Sequence, residues 1–491
     1  MLELFFALMV GALALLLNRL SIPCQDKVCS YRLFGDVVAF SAGVWLYSTI
    51  LLLLSRPYAT LIICVFLLGL LFAGNQLKVR ILNEPLVFSD IFLAGYAIRY
   101  PRLYFMYAPV WIWPILILVI FLLVVGVSFE EFIQYDLILR SLLLLITLVP
   151  LFITVISRLT WSKSFREKLK SLPLTFLANQ DAQSFTPMGM SLLHCLWHGQ
   201  FRSLLKNSIH LQSQKKSFNC EQCRHLLLIQ AESFCQLSKL TERKSVTPVF
   251  DALWDRTLSG KMRLDWSGAY TMRTEFAVLT GVAPKALQTY AFDPYQLARQ
   301  QCMNSLAWDL VQRGFNTVAW HPNDGRFFER NIVLPHLGFE KFVELSELSS
   351  LRRMGRYVSD EALLTEAVNY LGHQEQPTFL FLITIEAHGP WLRDRFEGAQ
   401  LLTEEERYEE HLKSFDRGLG NVLDKIQKEA LPIDVVIYGD HLPGLEILRQ
   451  NRETLDSSTP WLYFGKDIEE GKINLKPETL RELIRERVLR L

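Results

Sequence analysis

Four stretches of the sequence place carboxylate or imidazole groups directly after an apolar run. HLLLIQAES delivers Glu232, and NTVAWHPND delivers His321, Asn323 and Asp324. FLFLITIEAHGPW delivers Glu386 and His388, and DVVIYGDHLPG delivers Asp440 and His441. A polar residue in such a place is commonly a solvated loop residue or a helix cap. One alone carries no argument; four together do. Glu232, Asp440 and His441 supply two hard oxygen ligands and one imidazole, a set that suits a divalent ion such as Mn²⁺, Mg²⁺ or Zn²⁺.

A metal site of this kind needs a nucleophile. The segment SGAYTMRTEFAVLTG sets Thr271 after a glycine-containing turn and before an amphipathic helix. A helix N-terminus presents free N–H groups and the positive end of the dipole, which favours an anionic phosphoryl group. The same position is a common place for a capping threonine, so the segment by itself supports both readings. A threonine hydroxyl becomes an effective nucleophile when a metal lowers its pKa.

The elements that must position these groups follow from the same runs. Five short apolar stretches read as strands: 225–230, 315–320, 378–385, 433–438 and 461–464. Amphipathic stretches at 296–313, 359–372 and 404–428 lie between them. Continuous apolar strands separated by helices predict an α/β domain, a mostly parallel sheet covered by helices on both faces. In such sheets ligands bind beyond the C-terminal strand ends, so the four polar clusters converge on one edge.

Before residue 158 the sequence changes character. Apolar segments near 2–18, 37–55, 57–77, 103–129 and 141–157 follow one another, and the last four hold no charged residue. Spanning the hydrocarbon layer takes roughly 17–25 apolar residues, so a five-helix transmembrane anchor is expected over 1–157. A basic, helical linker at the membrane surface (158–221) follows, opening with Arg158, Lys163, Arg166, Lys168 and Lys170, and then a catalytic domain over 222–491. The chain is 491 residues long, 50% hydrophobic, with a net charge of +1 and no clustered basic excess, which argues against a nucleic-acid partner. Cys24 and Cys29 share the first loop; Cys220 and Cys223 form a lone Cys-x-x-Cys, a weak zinc signal better read as structural thiols or a local disulfide.

The combination IQAESF, YTMRTEF, FFERN, EAHGPW and YGDH resembles the lipoteichoic acid synthase family, part of the wider alkaline phosphatase and sulfatase-like superfamily. NEPLVFSD at 83–90 resembles that family's motif in the third connecting loop, and five helices is its usual number. The resemblance implies Glu232, Thr271, Asp440 and His441 as metal ligands, with Thr271 also the nucleophile. It implies His388 beside the headgroup and the leaving or entering oxygen, Arg330 on a phosphate oxygen, and Phe328 and His321 lining the same pocket. The cofactor is expected to be one divalent ion, Mn²⁺ ahead of Zn²⁺ or Mg²⁺. The expected reaction moves glycerol phosphate from phosphatidylglycerol, a membrane phospholipid donor, to an envelope glycan or glycolipid through a phosphothreonine.

Two departures touch the headgroup pocket. Ala387 stands where the family often has asparagine, and HPND leaves Asn323 and Asp324 competing for one role. A phosphoethanolamine transferase, which uses the same ligand set, is the alternative. A sulfatase activity would need a Cys/Ser-x-Pro-x-Arg run, which the sequence lacks. An inactive membrane partner would be expected to have lost a ligand. Orientation draws two opposed arguments. Twelve lysines and arginines fall on the loops that the resemblance places outside, against Arg56 and Arg140 inside, and the positive-inside rule would reverse that assignment. The resemblance, a glycan acceptor and the Cys24/Cys29 pair favour a multi-pass protein of the cell membrane with an external catalytic domain.

Overall fold

The computed structural model describes residues 1–21, 31–100, 112–131, 138–148, 171–205, 224–241, 243–266, 268–450, 458–466 and 468–489. The chain divides into two compact units, Met1–Ser203 and Leu204–Leu491. Cys24, Cys29, Cys220, Cys223 and the basic run 158–170 lie outside the described residues, as do parts of the apolar segments 103–129 and 141–157.

In the first unit, three helices among the described residues are long and apolar enough to cross a membrane: Leu2–Leu20, Arg32–Leu54 and Pro57–Leu82. Further apolar helix covers Ile112–Phe129 and Ile138–Leu148. Small residues let the first two helices touch. A Cβ on Gly43 would lie 2.7 Å from the Val10 carbonyl oxygen and 2.9 Å from Gly11 Cα. Close backbone approach of this kind is how helices associate where no hydrophobic effect drives them together. Leu4, Phe5, Leu53, Leu70 and Leu71 are exposed, as side chains facing lipid would be. The segment 83–90 turns the chain after the third helix. Asn83 adopts a left-handed φ of 55°, Asn75 Oδ1 accepts from Leu86 N (2.8 Å), and Lys78 pairs with Asp90 (2.6 Å).

The second unit is an α/β domain. Its strands are β1 (His225–Ala231), β2 (Leu258–Arg263), β3 (Asn316–Trp320), β4 (Lys341–Val343), β5 (Arg353–Met354), β6 (Tyr357–Val358), β7 (Thr378–Ile383), β8 (Ile433–Gly439), β9 (Ser458–Phe464) and β10 (Gly471–Lys472). Eight form one sheet in the order β10-β2-β9-β8-β1-β7-β3-β4; β5 and β6 make a separate hairpin. The sheet is parallel except at β9, which runs antiparallel to both β8 and β2. β1, β7 and β8 are buried along their whole length, as strands covered on both faces must be. Leu227, Ile229, Leu380, Val435 and Ile437 pack in one core with the helices Asp360–Gly372 and Glu404–Lys428. Their alternates Leu226, Leu228, Phe379 and Phe381 are buried on the opposite face, where Phe339 meets both phenylalanines.

The helix Glu404–Lys428 begins with a capping box between Thr403 and Glu406, a device that stabilises a helix start by about 1 kcal/mol. The stretch 296–313 is not one helix. It breaks into Tyr295–Ala298 and Leu306–Val311, because Ser305 accepts from Trp308 N and starts a new helix there.

Candidate active site

The site is assembled by the register between β1 and β8. Ala231 stands opposite Gly439, so the next residue on each strand, Glu232 and Asp440, leaves the sheet side by side. Gly439 is required there, since a Cβ would collide with the Phe234 carbonyl. Past Glu232 the chain turns through Ser233, whose φ of 53° is left-handed. Ser233 N donates to Asp440 Oδ1 (2.7 Å), Ser233 Oγ donates to Glu232 Oε1 (2.8 Å), and Glu232 N donates to Thr384 Oγ1 (3.0 Å). Those bonds tie the ends of β1, β7 and β8 into one frame.

The helix Thr271–Thr280 points its N-terminus at this frame, and Thr274 Oγ1 fixes it there by donating to the Asp440 carbonyl (2.6 Å). Thr271 is its first residue. The hydroxyl caps nothing: it lies 3.4 Å from Glu232 Oε2 and 3.5 Å from His441 Nε2. Glu232, Asp440 and His441 each present one ligand atom within 4.8 Å of the others. Among the described residues no group donates a hydrogen bond to the buried Asp440 Oδ2, which lies 3.2 Å from His441 Nε2, while His441 Nδ1 sits 3.1 Å from the Leu442 carbonyl. A proton on Nδ1 leaves the Nε2 lone pair facing the two carboxylates. An orphaned carboxylate oxygen, a second carboxylate and a correctly turned imidazole fit a divalent ion.

Electrostatics point the same way. Burial disfavours the Glu232 carboxylate, but the hydrogen bond and charge of His441 outweigh it and hold its pKa at about 2. Burial, then the charge of Glu232, push Asp440 up to about 7. Burial disfavours the His441 imidazolium, yet Asp440 and Glu232 together raise its pKa to about 9. Without a metal, a proton on His441 is the cation of this cluster.

The remaining sequence candidates are distributed as follows. His321 Nδ1 lies 3.2 Å from the Ile383 carbonyl and His388 Nδ1 2.6 Å from the Gly389 carbonyl, which leaves the Nε2 lone pair of each ring available. Desolvation, and then Arg330, hold His321 well below the ordinary histidine value; desolvation also lowers His388 against the pull of Glu232. Both rings are therefore neutral bases at neutral pH. Arg330 is 2% exposed and forms an ion pair with Glu275 (2.8 Å). Its guanidinium lies 5.6 Å from the Phe328 ring. Phe328 and Glu329 both have left-handed φ, 56° and 53°, a pair of strained residues immediately before Arg330. Asp324 is engaged by Arg326 (2.8 Å). Glu386 does not join the cluster; it is fully buried and faces His411 (2.9 Å) and Ser414 (2.7 Å).

Four contributors were missed in the sequence. Ser233 and Thr384 bind the frame, Arg395 donates to the carbonyls of Glu386 and His388 (2.8 Å each), and Glu275 holds Arg330. Glu275 alone left a signal, its spacing of four from Thr271 on one helix.

Comparison with known proteins gives the class. The sulfatase family model matches residues 224–474, about half of the chain, and the chain belongs to the sulfatase family. Among the proteins it resembles are two lipoteichoic acid synthases, each matched over less than half of this chain. Over 410 residues the chain is 27% identical to the capsular polysaccharide biosynthesis protein RkpI of Rhizobium meliloti (strain 1021), covering 77% of this chain and 72% of that one. It is 26% identical over 176 residues to the lipoteichoic acid synthase of Staphylococcus saprophyticus, covering 33% of this chain and 25% of that protein. The integral membrane lipooligosaccharide phosphoethanolamine transferase A of Neisseria meningitidis has the same fold over 95% of this chain and 88% of its own (TM-score 0.56, 14% identity). With three long apolar helices among the described residues, the chain is a membrane protein.

Proposed function

We propose that the protein transfers glycerol phosphate from phosphatidylglycerol to a hydroxyl of an envelope glycan or glycolipid. The observation that carries this reading is Thr271 Oγ at a helix N-terminus, 3.4 Å from Glu232 and 3.5 Å from His441. A divalent ion held by Glu232, Asp440, His441 and Thr271, with Mn²⁺ favoured, would supply the positive charge that lowers the pKa of the threonine hydroxyl. In the first displacement Thr271 Oγ bonds to phosphorus, and the bond from phosphorus to the diacylglycerol oxygen breaks. The proton lost by Thr271 returns to that departing oxygen. In the second, the acceptor hydroxyl bonds to phosphorus as the bond from phosphorus to Thr271 Oγ breaks; the acceptor's proton passes to His388 Nε2 and from there to Thr271 Oγ, which restores the threonine. Arg330 holds a non-bridging phosphate oxygen, a task for which a guanidinium fork is well shaped. His321 and Phe328 line the headgroup side.

The phosphoethanolamine reading uses the same residues on a different headgroup. Purified protein is therefore given labelled phosphatidylglycerol and labelled phosphatidylethanolamine in separate vesicles. Diacylglycerol release from the first is expected. Release from the second alone would replace the glycerol phosphate assignment by the alternative.

The anchor in this reading has five spans and the catalytic domain faces outward, where the acceptor is. A C-terminal alkaline phosphatase fusion is then expected to be active, and a C-terminal fluorescent protein that matures only in the cytoplasm dark. The reverse pattern sinks the external assignment and the glycan acceptor with it.

A further inference from the structure

Beneath the metal ligands lies a second, fully buried layer of polar side chains. Gln230 stands two residues before Glu232 on β1, and Tyr438 two residues before Asp440 on β8; the two are direct register partners. Tyr438 Oη donates to Gln230 Oε1 (2.5 Å), and Gln230 Nε2 donates to Glu275 Oε2 (3.2 Å). Glu275 in turn lies four residues after Thr271 on the same helix. Arg330 Nη2 donates to Glu275 Oε2 (2.8 Å), Arg330 Nε to Oε1 (3.5 Å), and the Tyr295 hydroxyl donates to Oε1 as well. Gln230, Glu275, Tyr295 and Tyr438 are at most 1% exposed.

Glu232, Asp440 and Thr271 thus each have a counterpart in this layer at a fixed offset along their own element. The counterparts meet at one carboxylate. That carboxylate occupies Nε and Nη2 of Arg330 and leaves Nη1 outside the ion pair. Through Glu275, Arg330 is joined to the helix that begins with Thr271.

We propose that Glu275 is the positioning residue of the site: it orients Arg330 toward the phosphoryl group and keys that orientation to Thr271 through their shared helix. The inference rests on the reading that Arg330 receives a phosphate oxygen. Glu275 touches no substrate itself, and its effect on an anionic ligand passes through Arg330.

The test is a double-mutant cycle on the full-length, manganese-loaded protein in detergent, with glycerol phosphate and inorganic phosphate as calorimetric probes. Glu275→Gln and Arg330→Lys are each expected to weaken binding by about ten-fold, because each loses the two-pronged geometry. The double variant is expected to bind within about two-fold of Arg330→Lys alone, as befits a residue that acts through its partner. Multiplied losses, or unchanged binding in Glu275→Gln, overturn the proposal, and so does a wild type that binds neither probe. Melting temperature is recorded for each variant. If Glu275→Gln fails to fold, Tyr295→Phe, which removes one hydroxyl from the same carboxylate, decides: a smaller loss of binding is expected, and none overturns the proposal. Diacylglycerol release is measured in parallel. Protein that shows the coupled binding but releases no diacylglycerol from phosphatidylglycerol sinks the donor assignment while upholding the role of Glu275.

Discussion

Thr271→Ala is expected to end diacylglycerol release while the protein still folds. Removing a catalytic nucleophile lowers turnover by roughly 10⁴–10⁶-fold, with only the binding contribution left. The structural cost is small. Thr271 is buried, but its hydroxyl caps no backbone group, and its nearest partners are the reactive ones. The change removes a hydroxyl and one methyl group, the latter a matter of about 0.8 kcal/mol. Thr271→Ser keeps a hydroxyl at the same place and is expected to retain measurable activity. Release at a near-normal rate by the alanine variant, with an unaltered melting temperature, would end the covalent mechanism.

Asp440→Ala and His441→Ala are expected to lose metal as well as activity. They are adjacent at the end of one strand, and with Glu232 they offer ligand atoms within 4.8 Å of one another. Losing an outer partner of a metal ligand already costs about 10–100-fold in affinity, and losing a ligand should exceed that. Elemental analysis after dialysis reads the outcome directly; full occupancy in both variants would remove these residues from the metal. Melting gives a second reading. A bound ion raises stability by about 2.7 kcal/mol at one hundred times its dissociation constant, so added metal should raise the melting temperature of the wild type and not of the variants. The pH dependence follows from His441. In the metal-free site its pKa is held up to about 9 by Asp440 and Glu232. The ion must displace that proton, so apparent affinity should climb as pH rises toward about 9 and fall in acid.

The central strands were legible because burial on both faces turned them into unbroken apolar runs, and the residues after them could be read off. The edges were not. β2 carries LSGKMR with two exposed positions, while β4 and β10 have three and two residues; none has an apolar run to announce it. Glu386 follows the apolar run of β7 much as Glu232 follows β1, but it lies three residues past the strand end and turns into the interior toward His411, a partner on a helix twenty-five residues further along. Strand-end position therefore identified candidates, and only tertiary partners separated ligand from scaffold. Glu275 shows the converse. Its spacing from Thr271 was visible, but Arg330 lies 55 residues away, beyond any local pattern.

The order of the sheet also bears on how such a protein is made. β8 is inserted between β1 and β9, and it brings Asp440 and His441 more than two hundred residues after Glu232. A ribosome releases the apolar helices first, and β1 with Glu232 next. Throughout that interval the growing chain sits amid the very phospholipids proposed as its donor, holding a threonine and one carboxylate but no place to bind an ion. Glu232 and Asp440 come together only when β8 pairs with β1. On the proposed reading, a chain in which β8 has not yet joined β1 has no complete site with which to consume the bilayer around it.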